Sequence, residues 1–143
     1  MEVRSPQSGE ELARLYELRW QVLRAPWGEP PGSERDATDA DSEHALIQDA
    51  DGAPLAVGRL HFNSPDQAQI RDMAVAQRTR GQGLGRRIVE YLETIARDRG
   101  AKTVVLNARE GVAGFYQSMG YRIIGAGPTL FGTVKHVRMQ KRL

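Results

Sequence analysis

The sequence predicts an α/β protein of α+β arrangement: a mixed, mostly antiparallel sheet with helices on both faces. Three observations predict it. Within Leu55 to Phe62, the residues Ala56, Gly58, Leu60 and Phe62 place one apolar face on a strand. Two stretches carry helical spacing instead, Leu12, Leu15, Leu18 and Val22 in the first, Leu84, Ile88, Leu92 and Ile95 in the second. The short run Thr103 to Leu106 follows the second helix and is almost uniformly apolar. Such a run suits a strand buried on both faces, and hence a parallel neighbour reached by a right-handed crossover.

The elements follow in order. Val3 sits in a short strand. Ser8 to Leu23 is a helix, capped by Ser8 with Glu11 three residues on completing a capping box. Pro26, Gly28, Pro30, Pro31 and Gly32 break the chain into a loop with a helical turn near Glu34. Ala45 to Ile47 and Leu55 to Phe62 form a hairpin about Asp49-Ala50-Asp51-Gly52, where Gly52 accepts the positive φ of the turn. Ala68 to Val75 completes a meander. Gly83 to Arg99 is the second helix, ended by Gly100. Gly111 to Met119 is a short helix closed by Gly120, and Tyr121 to Ile124 and Thr133 to Met139 are the last strands.

The 143 residues suit one domain, 1–143, with no repeat or linker. Hydrophobic residues at 40% and charged residues at 27% give a globular balance and exclude a wholly disordered chain. No apolar stretch approaches the roughly 18 residues of a membrane span, and the start lacks a signal-peptide core, so a cytoplasmic location is expected. The absence of cysteine excludes disulfides, thiolate zinc sites and a cysteine nucleophile. The net charge of +2 hides a polarised distribution. Residues 29–51 hold eight acids against Arg35 alone and read as solvated surface. Residues 78–87 hold Arg78, Arg80, Arg86 and Arg87 with no acid.

Between those arginines lies the informative segment, Arg80-Gly81-Gln82-Gly83-Leu84-Gly85-Arg86, joining a strand to a helix. Glycines let backbone turn tightly and approach a ligand. A helix start offers unpaired N–H groups and a positive dipole end, which together bind phosphate. A Walker loop needs Gly-Lys-Ser/Thr, and no lysine follows here. A dinucleotide fingerprint needs G-x-G-x-x-G, and here the spacing is G-x-G-x-G after a meander. A plain glycine-rich connection would weaken the helix start by about 1 kcal/mol per glycine without return. Nucleic-acid binding finds little support, since aromatics are only 6% and the arginine cluster already has an explanation.

Arg80 to Gly85 resembles the R-x-x-G-x-G acyl-CoA loop of the GNAT N-acetyltransferase superfamily. Met73-Ala74-Val75 is similar to the strand end that leads into that loop, Asn107 to the asparagine often found at the end of the next strand. Phe115-Tyr116-Gln117-Ser118-Met119-Gly120-Tyr121 resembles the family's F-Y-x-x-x-G-F segment. The order of elements also matches. Leu18 to Asp39 is similar to the acetyltransferase-like half of bacterial proteins fused to a hot-dog thioesterase-like domain, and these 143 residues resemble that half alone.

The resemblance implies the GNAT acyl-CoA N-acyltransferase fold, acetyl-CoA as donor, no metal, and a small-molecule amine as acceptor. Backbone at Met73, Ala74 and Val75 would meet the pantetheine arm, with Asn107 beside it. Backbone of Arg80, Gly81, Gln82, Gly83, Leu84 and Gly85 would hold the pyrophosphate, helped by the Arg80 and Arg86 side chains. Tyr116 would protonate the leaving thiolate; the alternative is a tyrosine packed on the sheet with its hydroxyl in water.

The general base is where the resemblance fails. Many family members carry a glutamate near the position of Gln69, which cannot take a proton. Asp72, His44, His61, His136 and water stay open as carriers. Alternation puts Arg71 on the face of Gln69 and Met73, with Asp72 opposite. A guanidinium there would attract a carboxylate on the acceptor, or else form a salt bridge within the fold. Two other readings stay open: a malonyl-thioester decarboxylase and a non-catalytic acyl-CoA-binding module. Family habit adds a homodimer.

Overall fold

A computed structural model describes all of residues 1–143. Helix α1 spans Gly9–Leu23, and Ser8 caps it by accepting the Glu11 N–H at 3.1 Å. The second half of the expected capping box is displaced by one residue: the Glu11 carboxylate takes the N–H of Gln7, at 2.9 Å, rather than that of Ser8. The loop that follows makes one 3₁₀ turn at Ala25–Trp27 and another at Asp39–Asp41, so the helical turn expected near Glu34 lies five residues further on.

Strands β1 (Glu43–Gln48), β2 (Pro54–Ser64) and β3 (Gln67–Val75) form the antiparallel meander. The turn between β1 and β2 is fixed by Asp49, whose carboxylate accepts N–H groups of Asp51 and Ala53, each at 2.9 Å. Gly52 takes φ +83° there. Helix α2 (Leu84–Asp98) crosses to β4 (Thr103–Arg109), which runs parallel to β3. Helix α3 (Ala113–Gln117), β5 (Arg122–Leu130) and β6 (Val134–Arg142) complete the chain.

The six strands lie in the order β1-β2-β3-β4-β6-β5. The strand expected at Val3 shrinks to a single bridge, Arg4 with Leu46, because proline follows two residues on and removes a donor. No helix is long and apolar enough to cross a membrane.

The sheet is covered on two faces. Ala45, Ile47, Ala56, Leu60, Ala68 and Ile70 pack against Ile88, Val89 and Leu92 of α2. Leu46, Val57 and Ala74 pack against Leu15 and Leu18 of α1. Each fully buried leucine, isoleucine or valine side chain contributes roughly 1.5–3 kcal/mol. Gly58 is required by the first core: a Cβ there would stand 2.6 Å from the Met73 sulfur and 2.8 Å from Ile88.

Helix α1 lies over β2, β3 and Leu46 of β1. Beyond β3, the α1 face of the sheet is therefore left open, and the open ground begins where β3 and β4 part.

Candidate active site

Strands β3 and β4 pair at three positions only: Gln67 with Thr103, Ala68 with Val104 and Gln69 with Val105. Past those the two diverge. Their outer edges are taken by β2 and β6, so the inner edges from Ile70 to Val75 and from Leu106 to Arg109 have no strand partner. A cleft of about 210 Å³ opens there. Gln69, Arg71, Asp72, Met73, Asn107, Arg109 and Tyr116 line it, as do Arg24, Trp27, Phe131 and His136 from neighbouring segments.

At the α2 end of the gap stands the glycine-rich turn. Gly81 and Gly83 take φ +82° and +79°. A Cβ on either would meet nothing within 4 Å. The N–H groups of Gly81, Gln82 and Gly83 have no acceptor, and no side chain caps α2. The turn is thus bare and rich in free donors, which suits a phosphate. Gly85 is different. Its Cβ would lie 3.4 Å from Val75 and 3.5 Å from Phe115, so this glycine faces the protein. The arginines are partly engaged: Arg80 Nε donates to the Val75 carbonyl at 3.3 Å, and Arg86 pairs with Glu90 one helical turn on.

Alternation along β3 breaks at Asp72, a non-glycine residue at φ +55°. The β2–β3 register shifts between Val57 and Arg59, the mark of a β-bulge. Gln69 and Arg71 keep the α1 face, but Met73 turns to the α2 face, where it meets Gly58. Asp72 stays on the α1 face, bonded to Arg59 at 2.6 Å and 3.8 Å from Arg19. Both face assignments expected from alternation are therefore corrected: Arg71 is not beside Met73, and Asp72 is not opposite Arg71. One extra residue in the strand reverses the parity of everything after it.

The acidic stretch is also not mere solvated surface. Asp39 is 5% exposed and bonded to Arg19 at 2.8 Å; Asp36 bonds Arg59 at 2.7 Å. Arg19 and Arg59 are themselves 0% and 1% exposed. Burial pushes the Asp39 carboxyl up, but the Asp36 N–H and the Arg19 guanidinium outweigh it and hold it below the usual carboxylate range. Arg71 reaches Asp36 only at 3.7 Å and stays 41% exposed in its side chain.

The other expected site residues divide. Tyr116 lines the cleft, packed edge-on against Phe115 and Tyr121. Burial pushes its phenol up to about 12. The Asn107 side-chain oxygen is buried without a donor, as an oxygen awaiting a ligand N–H would be. Gln69 lines the cleft and accepts from Asn63 at 3.0 Å.

His61 does not line the cleft. Its ring is half-buried, and burial, then Arg71 and Arg59, favour the neutral imidazole. His44 lies in the arginine–aspartate network, its Nε2 donating to the Asp39 carbonyl at 2.9 Å. Trp27 and Phe131, given no site role by the sequence, stack at 5.7 Å to wall the α1 side, with Arg109 over Trp27 and Arg24 over Phe131. Pro26-Trp27-Gly28, an aromatic in a tight turn, was the signal for Trp27.

A parallel strand pair splayed over a glycine-rich helix start, with a phenol at the gap, defines an acyltransferase of mixed α/β architecture. The chain belongs to the acetyltransferase (GNAT) family, whose model matches residues 12–121. A candidate acetyltransferase of Bacillus subtilis (strain 168) is 28% identical over 145 residues, which cover 99% of this chain and 97% of that protein. Among solved structures, a candidate N-acetyltransferase from Lactobacillus plantarum superposes with a TM-score of 0.85 at 26% identity, covering 99% of this chain and 97% of that one. A GNAT acetyltransferase from Elizabethkingia anophelis, solved with acetyl-CoA bound, has a TM-score of 0.81 at 16% identity, covering 99% and 97%, and shares the fold.

Proposed function

We propose that this protein transfers an acetyl group from acetyl-CoA to the amine of a small, carboxylate-bearing acceptor, by direct attack with both substrates bound. The observation that carries the reading is the unpaired edge of β3 and β4 leading to the free amides of Gly81, Gln82 and Gly83. An extended pantetheine arm can add to such an edge as a false strand, and its amides find partners there. The pyrophosphate would rest on backbone of Arg80 to Gly85, with Arg80 and Arg86 as charged neighbours. Asn107 would accept from a pantetheine N–H. The Val75 carbonyl already accepts from Arg80 Nε at 3.3 Å and keeps a second lone pair for a pantetheine N–H.

The bulge at Asp72 supports a role for backbone N–H groups near Met73 in holding the oxyanion. Tyr116 would serve the leaving thiolate. A phenol near 12 stays protonated through the neutral range, ready to donate.

The acceptor's charge is read from the cleft wall. Arg71 has only a 3.7 Å contact with Asp36, and Arg24 and Arg109 meet no carboxylate. The one acid on the wall, Asp72, is held by Arg59. A net positive wall attracts a carboxylate and repels a polycation. The test is thiol release from acetyl-CoA with a panel of amines, and separately CO₂ release from malonyl thioesters. Amine-dependent release favouring carboxylate-bearing amines is expected. Release of CO₂ without amine would favour the decarboxylase instead.

A further inference from the structure

The amine must shed a proton, and no glutamate stands on β3 to take it. Of the three histidines, His136 alone lines the cleft. It sits on β6 opposite Arg109, at the end of the splayed strand β4. Its Nδ1 lies 3.0 Å from the Val134 carbonyl and 3.1 Å from the Pro128 carbonyl. Carbonyl oxygens only accept, so Nδ1 must carry the hydrogen. In the neutral ring that leaves the lone pair on Nε2, which has no hydrogen-bond partner and is not sealed from solvent. A cleft-lining ring held by one nitrogen, with the other free of any hydrogen-bond partner, has the arrangement of a general base.

We propose that His136 accepts the acceptor's proton at Nε2, directly or through one water; this rests on the N-acetyltransfer reading. The ammonium gives one proton to Nε2. The freed lone pair forms the N–C bond to the thioester carbon, and the C–S bond breaks with its electron pair on sulfur. The proton still surplus on nitrogen replaces the one that Tyr116 delivers to the thiolate. The charged and titratable groups facing His136 across the cleft are Arg109, Tyr116, Arg71, Asp72 and Arg24.

The test compares wild type, His136→Ala and His136→Asn, using acetyl-CoA with the free amino acids as the amine panel. Asparagine keeps an N–H for the two carbonyls but has no basic lone pair, so it guards against a merely structural loss. Both variants should lose about 10²–10⁴ in kcat and keep their affinity for coenzyme A. The acid-side inflection of kcat/KM should move up to the titration of the free amine itself, and added imidazole should restore turnover to the alanine variant. Nitrogen NMR of labelled histidine should show the hydrogen on Nδ1. Variants that keep the wild-type rate and the wild-type position of the acid-side inflection overturn the proposal and leave acetyl transfer standing. Wild type that binds acetyl-CoA yet acetylates no amine overturns both.

Discussion

The Nε of Arg59 donates to Asp72 Oδ2 at 2.6 Å, and this bond fastens a buried arginine of β2 to the strained residue of β3. The φ of +55° at Asp72 costs about 1–2 kcal/mol for an L-residue. Arg59 also bonds Asp36 and Thr38, so one guanidinium clamps both the bulge and the loop above it. Arg59→Met would strand three carboxylates, Asp36, Asp39 and Asp72, around one remaining buried arginine. It should cost about 3–5 kcal/mol of stability, read by chemical denaturation. Asp72→Gly accepts the backbone without strain and should cost less.

Gly83→Val should weaken coenzyme A binding more than tenfold, about 1.4 kcal/mol, by calorimetry. A β-branched residue resists φ +79°, and its side chain would project where nothing now lies within 4 Å. Gly85→Ala should bind nearly as wild type, since its Cβ would meet Val75 and Phe115 at ordinary contact distance. Equal effects at the two positions would contradict this division of labour.

Tyr116→Phe keeps the edge-on packing with Phe115 and Tyr121 and removes only the hydroxyl. Turnover should fall by about 10²–10⁴ with little change in coenzyme A affinity. Unchanged turnover would return Tyr116 to a packing role.

Arg71→Gln should raise KM for carboxylate-bearing amines by roughly tenfold to a hundredfold, the worth of a charge-assisted hydrogen bond. Amines without a carboxylate should be unaffected. Steady-state kinetics on matched acceptor pairs reads the difference.

Stability should decline as pH falls below about 6.5, the ordinary histidine value. Burial lowers the affinity of His44 and His61 for protons, with Arg19 adding at the first and Arg71 at the second. The unfolded chain therefore takes protons before the folded one does, and acid favours it. Asp39, held low in the fold, adds a second loss below about pH 4 by the same sign. Melting temperatures across pH should show both steps, and His44→Gln should shrink the first.

Much of this was legible in the residues. The periodicities of α1, β2 and α2 marked the elements within a few positions, because a stripe of aliphatics has one stable use in water. Gly81 and Gly83 marked the bare turn at the start of α2, because glycines there cost helix stability unless the backbone needs their positive φ. Arg19, one turn after Leu15 on the apolar stripe of α1, and Arg59, inside an apolar strand, were signals of buried charge. The acids of the loop were read as solvated surface instead, because the arginines that pair with them lie far away along the chain.

The sequence by itself determined the elements, their order and the bare turn, since these follow from neighbours along the chain. Tertiary structure alone decided which side of the sheet Arg71, Asp72 and Met73 occupy, and which histidine reaches the cleft. A bulge adds one residue to a strand without altering its composition. Its place is set by Arg59 on another strand and Asp36 in a distant loop, and no period within residues 67–75 encodes either.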